Sequence, residues 1–374
     1  MRFLHISDLH IGKRINEFSM IDDQIYILNK ILKIIDNENI DSVIIAGDIY
    51  DKYIPTIEAV QVFNNFLSSL SDKNLKVFIV AGNHDSIERL SFAANILCKN
   101  NVYISPVYNG FIKPIIISDS FGKINIYMVP FIKPINVRIY HNDDKIINYN
   151  DMMNFVIKNM NIDKKDRNIL ITHQFITGAI TSDSEEINVG GSDNIDYNIF
   201  DCFDYVALGH IHKSQSIKRE TLRYCGTPLK YSLSEINHNK SVTIFDFNEK
   251  NNINIYEIPL VPKRDIIKIE GTFDEITSEN YLKNVNNSNY FYITIKGDYI
   301  IDCINRLRVF YPNIMKLDYK NNQKNNDILL EFDNIEKISP IKLFSEFYQY
   351  QNGQDMSEEQ YELISKIISD IWEE

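Results

Sequence analysis

Three short apolar runs, "RFLHIS" (2–7), "SVIIAG" (42–47) and "KVFIVAG" (76–82), constrain this chain more than any other feature. Each is β-branched, bounded by Gly or Asp, and short enough to be a buried strand. Between the first two, Ile21, Ile25, Leu28, Ile31, Leu32 and Ile35 recur at helical spacing. Between the second two, Val60, Phe63, Phe66, Leu67 and Leu70 do the same. Strand, helix, strand, helix, strand predicts an α/β layer of parallel neighbours, because parallel strands need a crossover between them.

Each run ends in a polar cluster: "SDLH" after the first, "GDIYD" after the second, "GNHD" after the third. The carboxyl ends of parallel strands share one sheet edge, where ligands bind. Two more runs, "NILITHQ" (168–174) and "YVALGHIHK" (205–213), also end in histidines. The five clusters are therefore expected to meet in space.

Their side chains are Asp8, His10, Asp48, Asn83, His173, His210 and His212. Mixed imidazole and oxygen donors suit Mn²⁺, Fe or Zn²⁺ better than Ca²⁺ or Mg²⁺, which prefer oxygen. Seven donors are too many for one ion but serve two when a carboxylate bridges them, at the ~3.5–4 Å separation of two-metal sites. Asp8 and His10 are two apart, as are His210 and His212, so extended backbone is expected to project each pair to one side. Taken singly, any of these histidines reads as a satisfied structural residue; the set of seven at strand ends does not. His5 is expected inside the first strand, and His141 and His238 in connecting segments. Asp85 is expected to cap the following helix.

The five ordered blocks DxH, GDxxD, GNHD, H and GHxH resemble the signature of the calcineurin-like metallophosphoesterases. That resemblance implies a four-layer α/β/β/α sandwich with two divalent ions, most simply Mn²⁺. It places one ion on Asp8, His10, Asp48 and His212 and the other on Asp48, Asn83, His173 and His210, with Asp48 bridging. Two ions bring +4 and two aspartates return −2, so a neutral Asn83 keeps the centre positive. In this family His84 is a non-ligand that steadies the transition state or protonates the leaving alkoxide. Asp51, three residues past Asp48, is expected from its position to orient His84. Lys13, Arg14 and Arg89 flank the motifs and are candidates for a phosphate backbone.

The run "GDIYDKY" lacks the Arg of the GDxVDRG motif that marks phosphoprotein phosphatases. A narrower resemblance is to the bacterial DNA-nuclease branch of the family, carried by "HISDLHIG" (5–12), "SDSEEINVGGSDNI" (182–195), "FDYVALGHIHKSQ" (203–215) and "YCGTPLKYSLSE" (224–235). It implies a Mn²⁺-dependent nuclease subunit, exonuclease on duplex ends and endonuclease on single strands and hairpins. It further implies a homodimer joined in a heterotetramer to an SMC-like ATPase for DNA end processing, repair and recombination. The alternative is a stand-alone small-molecule or cyclic-nucleotide phosphodiesterase.

The chain has 374 residues, long enough for roughly two or three domains. The division expected is 1–261 for the catalytic domain, 262–335 for a small α+β cap that helps hold DNA, and 336–374 for a two-helix tail. The cap reads as strand, strand, helix, strand. The tail offers Ser339–Pro340 as a helix start and Ser357–Gln360 as a capping box. Its stripe of Ile364, Ile367, Ile368, Ile371 and Trp372 has no evident core, so residues 339–372 are expected to dock on the ATPase.

A net charge of −12 argues against a DNA surface that works by protein charge alone; bound cations would supply positive charge locally. No apolar run reaches the ~18 residues of a membrane helix, and the N-terminus lacks a long apolar core, so a cytoplasmic protein is expected. Cys98, Cys202, Cys225 and Cys303 are too scattered for a zinc site or disulfide framework and are expected to be reduced.

Overall fold

The computed structural model describes residues 1–185, 193–320 and 339–372. Its strands are β1 (Arg2–Ile6), β2 (Arg14–Ile15), β3 (Phe18–Ser19), β4 (Ser42–Ala46), β5 (Lys76–Val80), β6 (Val102–Ile104), β7 (Ile115–Asp119), β8 (Gly122–Val129) and β9 (Arg167–His173). They continue with β10 (Tyr205–Gly209), β11 (Gln215–Ile217), β12 (Arg219–Tyr224), β13 (Ser241–Phe247), β14 (Ile253–Pro259), β15 (Ile266–Gly271), β16 (Tyr290–Lys296) and β17 (Ile314–Lys320).

Two six-stranded sheets carry the fold, in the orders β14-β13-β1-β4-β5-β6 and β11-β12-β10-β9-β8-β7. The middle of each is parallel: β1, β4, β5 and β6 in the first, and β8, β9, β10 and β12 in the second. Antiparallel strands flank them, β13 and β14 in the first, β7 and β11 in the second.

Alternation along each strand builds the layers. Phe3, Ile44, Phe78 and Val80 of the first sheet pack on Ile126, Ile169, Ile171 and Ala207 of the second, a sheet-on-sheet core. The intervening positions Leu4, Val43, Ile45 and Val77 face the helices Ile21–Asn37 and Ile57–Asp72. Leu170, Val206 and Leu208 face the helices Pro134–His141 and Tyr149–Lys158. These four layers form the α/β/β/α sandwich that the family resemblance implies, and the first sheet with its two helices is the α/β layer that the strand pattern predicts. Each fully buried Ile or Phe in them contributes about 1.5–3 kcal/mol.

His5 lies within β1, fully buried, with Nδ1 3.2 Å from the Tyr205 hydroxyl. His141 differs from expectation: it ends the helix Pro134–His141, where Nε2 lies 2.9 Å from the Gly110 carbonyl. Among the described residues the cysteines are free, as expected, and no helix is long and apolar enough to cross a membrane.

Two compact units emerge, one of residues 1–294 and 301–318, the other of 295–300 and 319–374. The sheet β15-β16-β17, most of whose residues belong to the first unit, is tied to the sandwich through Asp23, whose buried carboxylate accepts from Arg264 Nε at 3.0 Å and Tyr290 Oη at 2.7 Å. Its element order is strand, two short helices (Phe273–Thr277 and Glu279–Leu282), strand, helix, strand. Apolar periodicity does not reveal the first pair of helices, which a Thr272/Glu275 capping box starts. The second unit contains the helices Pro340–Asn352 and Glu358–Trp372. The second helix opens on the expected box, Ser357 N–H on Gln360 Oε1 at 2.9 Å and Gln360 N–H on Ser357 Oγ at 3.3 Å. The expected 335/336 boundary, most of the loop "INVGGSD" and the side chains of Ile371 and Trp372 lie outside the described residues.

Candidate metal centre

The seven donors come from five strand ends: Asp8 and His10 beyond β1, Asp48 beyond β4, Asn83 beyond β5, His173 at the end of β9, and His210 and His212 beyond β10. The first sheet gives four and the second three. All but Asn83 are buried.

The extended backbone expected for the paired residues is not what carries them. Asp8, His10 and Asp48 take φ of 53°, 43° and 49°, and His210 takes 103°. Left-handed backbone at non-glycine residues costs of order 1–3 kcal/mol each and collects at functional sites. It turns the chain sharply enough after each strand to aim both members of a pair inward. Gly82 and Gly209 make room for this: a Cβ on the first would strike Asp48, and on the second the Ala46 carbonyl and His173.

Two groups of donors result. Asn83 Oδ1 lies 3.1 Å from His173 Nε2 and 3.0 Å from His210 Nδ1, and His173 Nε2 is 3.3 Å from Asp48 Oδ2. On the other side His10 Nε2 is 3.2 Å from His212 Nε2 and 3.7 Å from Asp48 Oδ2. Asp8, His10 and His212 offer ligand atoms within 4.8 Å of one another, as do Asp8, Asp48 and His173. Two ring nitrogens facing each other at this range need a shared proton or a cation between them. The donor set therefore fits a pair of divalent cations, with Asp48 common to both groups.

Electrostatics point the same way. Burial pushes Asp8 up to about 6, against the pull of His173 and His212. Burial also disfavours the Asp48 carboxylate, but His173, His10 and His84 hold it well below its ordinary value. His173 is the converse: burial would lower it, yet Asp48 and Asp8 face it and raise it to about 9. Burial keeps His10 well below its usual range and lowers His210 to about 3. Neutral imidazoles, as at His10 and His210, and an ionised carboxylate, as at Asp48, are the states in which such groups bind metal. The His173 Nδ1 lies 2.8 Å from the Ala46 carbonyl; donating there leaves Nε2 as the ligand atom once a cation displaces its proton.

His84 sits beside the donors rather than among the seven, half-buried, with its backbone N–H on Asp48 Oδ1 at 2.9 Å. One of its ring nitrogens also lies in a 4.8 Å group with His10 and Asp48. Its Nδ1 donates to the backbone carbonyl of Asp51 at 2.9 Å, so that residue meets His84 through main chain. The Asp51 carboxylate instead holds Lys13 Nζ at 2.8 Å. Arg14 is exposed and bonds the Glu17 carbonyl; Arg89 lies over the Tyr53 ring.

Asp85 does not cap the next helix. It is buried and accepts three backbone N–H groups, Gly82 at 2.9 Å, Tyr50 at 3.0 Å and Ile49 at 3.1 Å, stitching the GNHD turn to the GDIYD turn. Gln24, which no sequence motif singles out, and Tyr231, which falls within the run 224–235, clamp the DLH turn: Gln24 Nε2 donates to the His10 carbonyl at 2.7 Å and Tyr231 Oη to the Leu9 carbonyl at 2.5 Å. Ser184, Glu235 and Lys240 gather behind His212. Ser184 and Glu235 fall within the runs 182–195 and 224–235 that carry the narrower resemblance, whereas Lys240 has no such signal.

A sandwich whose two sheets pool their strand-end ligands around a two-cation site is the architecture of a metal-dependent phosphoesterase. Residues 1–214 match the family described as calcineurin-like phosphoesterase, and residues 262–352 match a type 5 capsule protein repressor C-terminal domain. Two relatives are named as the SbcD part of the SbcCD nuclease. That of Staphylococcus epidermidis is 31% identical over 99% of both chains. That of Staphylococcus saprophyticus is 31% identical over 100% of this chain and 99% of its own. The chain belongs to the SbcD family of calcineurin-like phosphoesterases.

Proposed function

We propose that this protein is the DNA-cleaving subunit of a two-component nuclease, a Mn²⁺-dependent phosphodiester hydrolase that works with an SMC-like ATPase. The observation that carries this is the convergence of seven donors from both sheets with His84 beside them, in a chain whose full-length relatives are nucleases by name. Two cations held by Asp8, His10, Asp48, Asn83, His173, His210 and His212 would activate water as the nucleophile and offset the charge of the phosphate. Asn83 holds its place as a neutral ligand, keeping the net charge of the donor set low. His84, oriented by the Asp51 carbonyl, is placed to protonate the leaving alkoxide.

The expected substrates are duplex ends, single strands and hairpins. Residues 262–335 act as the cap over DNA, and 339–372 as the ATPase-docking element in a heterotetramer built on a dimer of this chain. The tail suits that role: Phe347 is 57% and Leu363 59% exposed, an apolar surface of the kind that docks in a groove. Purified protein with MnCl₂, offered hairpin DNA, single-stranded DNA and a chromogenic phosphodiester, tests the reading. Cleavage of DNA supports it; hydrolysis of the small ester without DNA cleavage overturns it in favour of a small-molecule phosphodiesterase. Deleting 339–374 is expected to spare the endonuclease activity and abolish ATPase binding.

A further inference from the structure

His212 is held from behind by groups that make no part of the metal site itself. Its Nε2 faces His10, so Nδ1 points away from the donors, where it meets Ser184 Oγ at 2.8 Å and Glu235 Oε1 at 3.3 Å. Ser184 has one hydroxyl proton, and its oxygen lies 2.6 Å from Glu235 Oε1. A carboxylate only accepts, so Ser184 donates to Glu235 and receives from His212 Nδ1–H. The ring's proton is fixed on Nδ1.

Behind Glu235 stands Lys240, and both are buried, at 0% and 7% exposure. The three protons of the ammonium have three acceptors: Glu235 Oε2 at 2.5 Å, Thr227 Oγ1 at 2.5 Å and the His212 carbonyl at 2.9 Å. His212 N–H is taken as well, by Glu185 Oε1 at 2.8 Å. A buried ion pair is a poor way to gain stability, since apolar residues of similar volume serve as well or better. Its placement against one metal-facing ring argues for a task there.

We propose that Glu235 is the positioning residue of His212: with Ser184 it locks the ring with its proton on Nδ1 and its Nε2 lone pair turned toward the neighbouring donors, while Lys240 neutralises the carboxylate and pins the backbone. The inference rests on the two-cation reading of the site but not on DNA being the substrate. Outer partners of ligating histidines change metal affinity by about 10–100-fold, so the effect is measurable without any turnover.

The test is calorimetric titration of the full chain with MnCl₂, paired with Mn²⁺ electron paramagnetic resonance. Removing Glu235 alone would strand a buried charge, so the principal variant is Glu235→Leu with Lys240→Met. It is expected to weaken one of two Mn²⁺ ions by about 10–100-fold and leave the other unchanged. Glu235→Gln with Lys240→Met keeps an acceptor oxygen and is expected to restore affinity to within about threefold of the parent. Ser184→Ala leaves the buried pair intact and is expected to weaken the same ion by several-fold, which keeps the proposal open to test if the double variants misfold. Two Mn²⁺ ions bound with parental affinity in the Leu/Met variant, or in Ser184→Ala, overturn the proposal, as does equal weakening of both ions. A parent that binds two ions and cuts no DNA overturns the nuclease reading alone.

Discussion

Asn83, His84 and Asp85 are consecutive and do three different things. Asn83 meets His173 and His210, His84 is held by the Asp51 carbonyl, and Asp85 ties two turns together. Asn83 as a candidate donor follows from its residue type at a strand end, and the reading of His84 from the family resemblance; the tie made by Asp85 follows from neither, because its partners Tyr50 and Ile49 lie 35 and 36 residues upstream. His84→Ala is expected to lower DNA cleavage by about 10²–10⁴-fold while two Mn²⁺ ions still bind by calorimetry; loss of an ion would make His84 a ligand. A second residue-scale prediction concerns pH. Burial would raise Asp119, but a two-pronged pair with Arg167, at 2.5 and 3.1 Å, pulls it down to about 2. Its folded value is below its unfolded one, so the stabilisation is present above about pH 4 and lost as pH falls through 2. It amounts to on the order of 2 kcal/mol. Acid titration of stability, read by circular dichroism, is expected to be correspondingly flatter in Asp119→Asn over that window.

At the scale of elements, strands and helices were readable because their periods are local. Runs such as "SVIIAG" and the Ile21–Ile35 stripe became β4 and a 17-residue helix. The turns were not readable in the same way: the spacing of DxH and HxH suggested extended backbone, and the structure uses left-handed residues instead. The cost of those turns is met by contacts remote in sequence, such as Gln24 and Tyr231 on the DLH turn. Asp85→Ala removes acceptors from three buried N–H groups. It is expected to cost about 2–4 kcal/mol in thermal or urea unfolding and to weaken Mn²⁺ binding, since the turns bearing Asp48 and Asn83 lose their common anchor. Unchanged stability would show that these N–H groups find other partners.

For the molecule as a whole, the donors are divided between the sheets, four from one and three from the other. Cations bound there join the two sheets at one end, while Arg167 joins them at the other, bonding Asp119 of β7 and the carbonyls of Phe247 and Asn248 at the close of β13. A ligand that binds only the folded state adds about 2.7 kcal/mol at a hundred times its Kd. Saturating MnCl₂ is therefore expected to raise Tm by several degrees and EDTA to reverse it; an unmoved Tm would mean the donors bind no metal.

The strand order has a last consequence, in the time domain of synthesis. β1 is made more than two hundred residues before one of its two neighbours in the sheet, β13, which begins only at Ser241. All seven donors exist once residue 212 has been added to the growing chain, but the first sheet is still open beside Asp8 and His10, and Glu235 and Lys240 have not been made. A nascent chain carrying every ligand is thus expected to be inert, and cutting activity to begin only when the sandwich is complete.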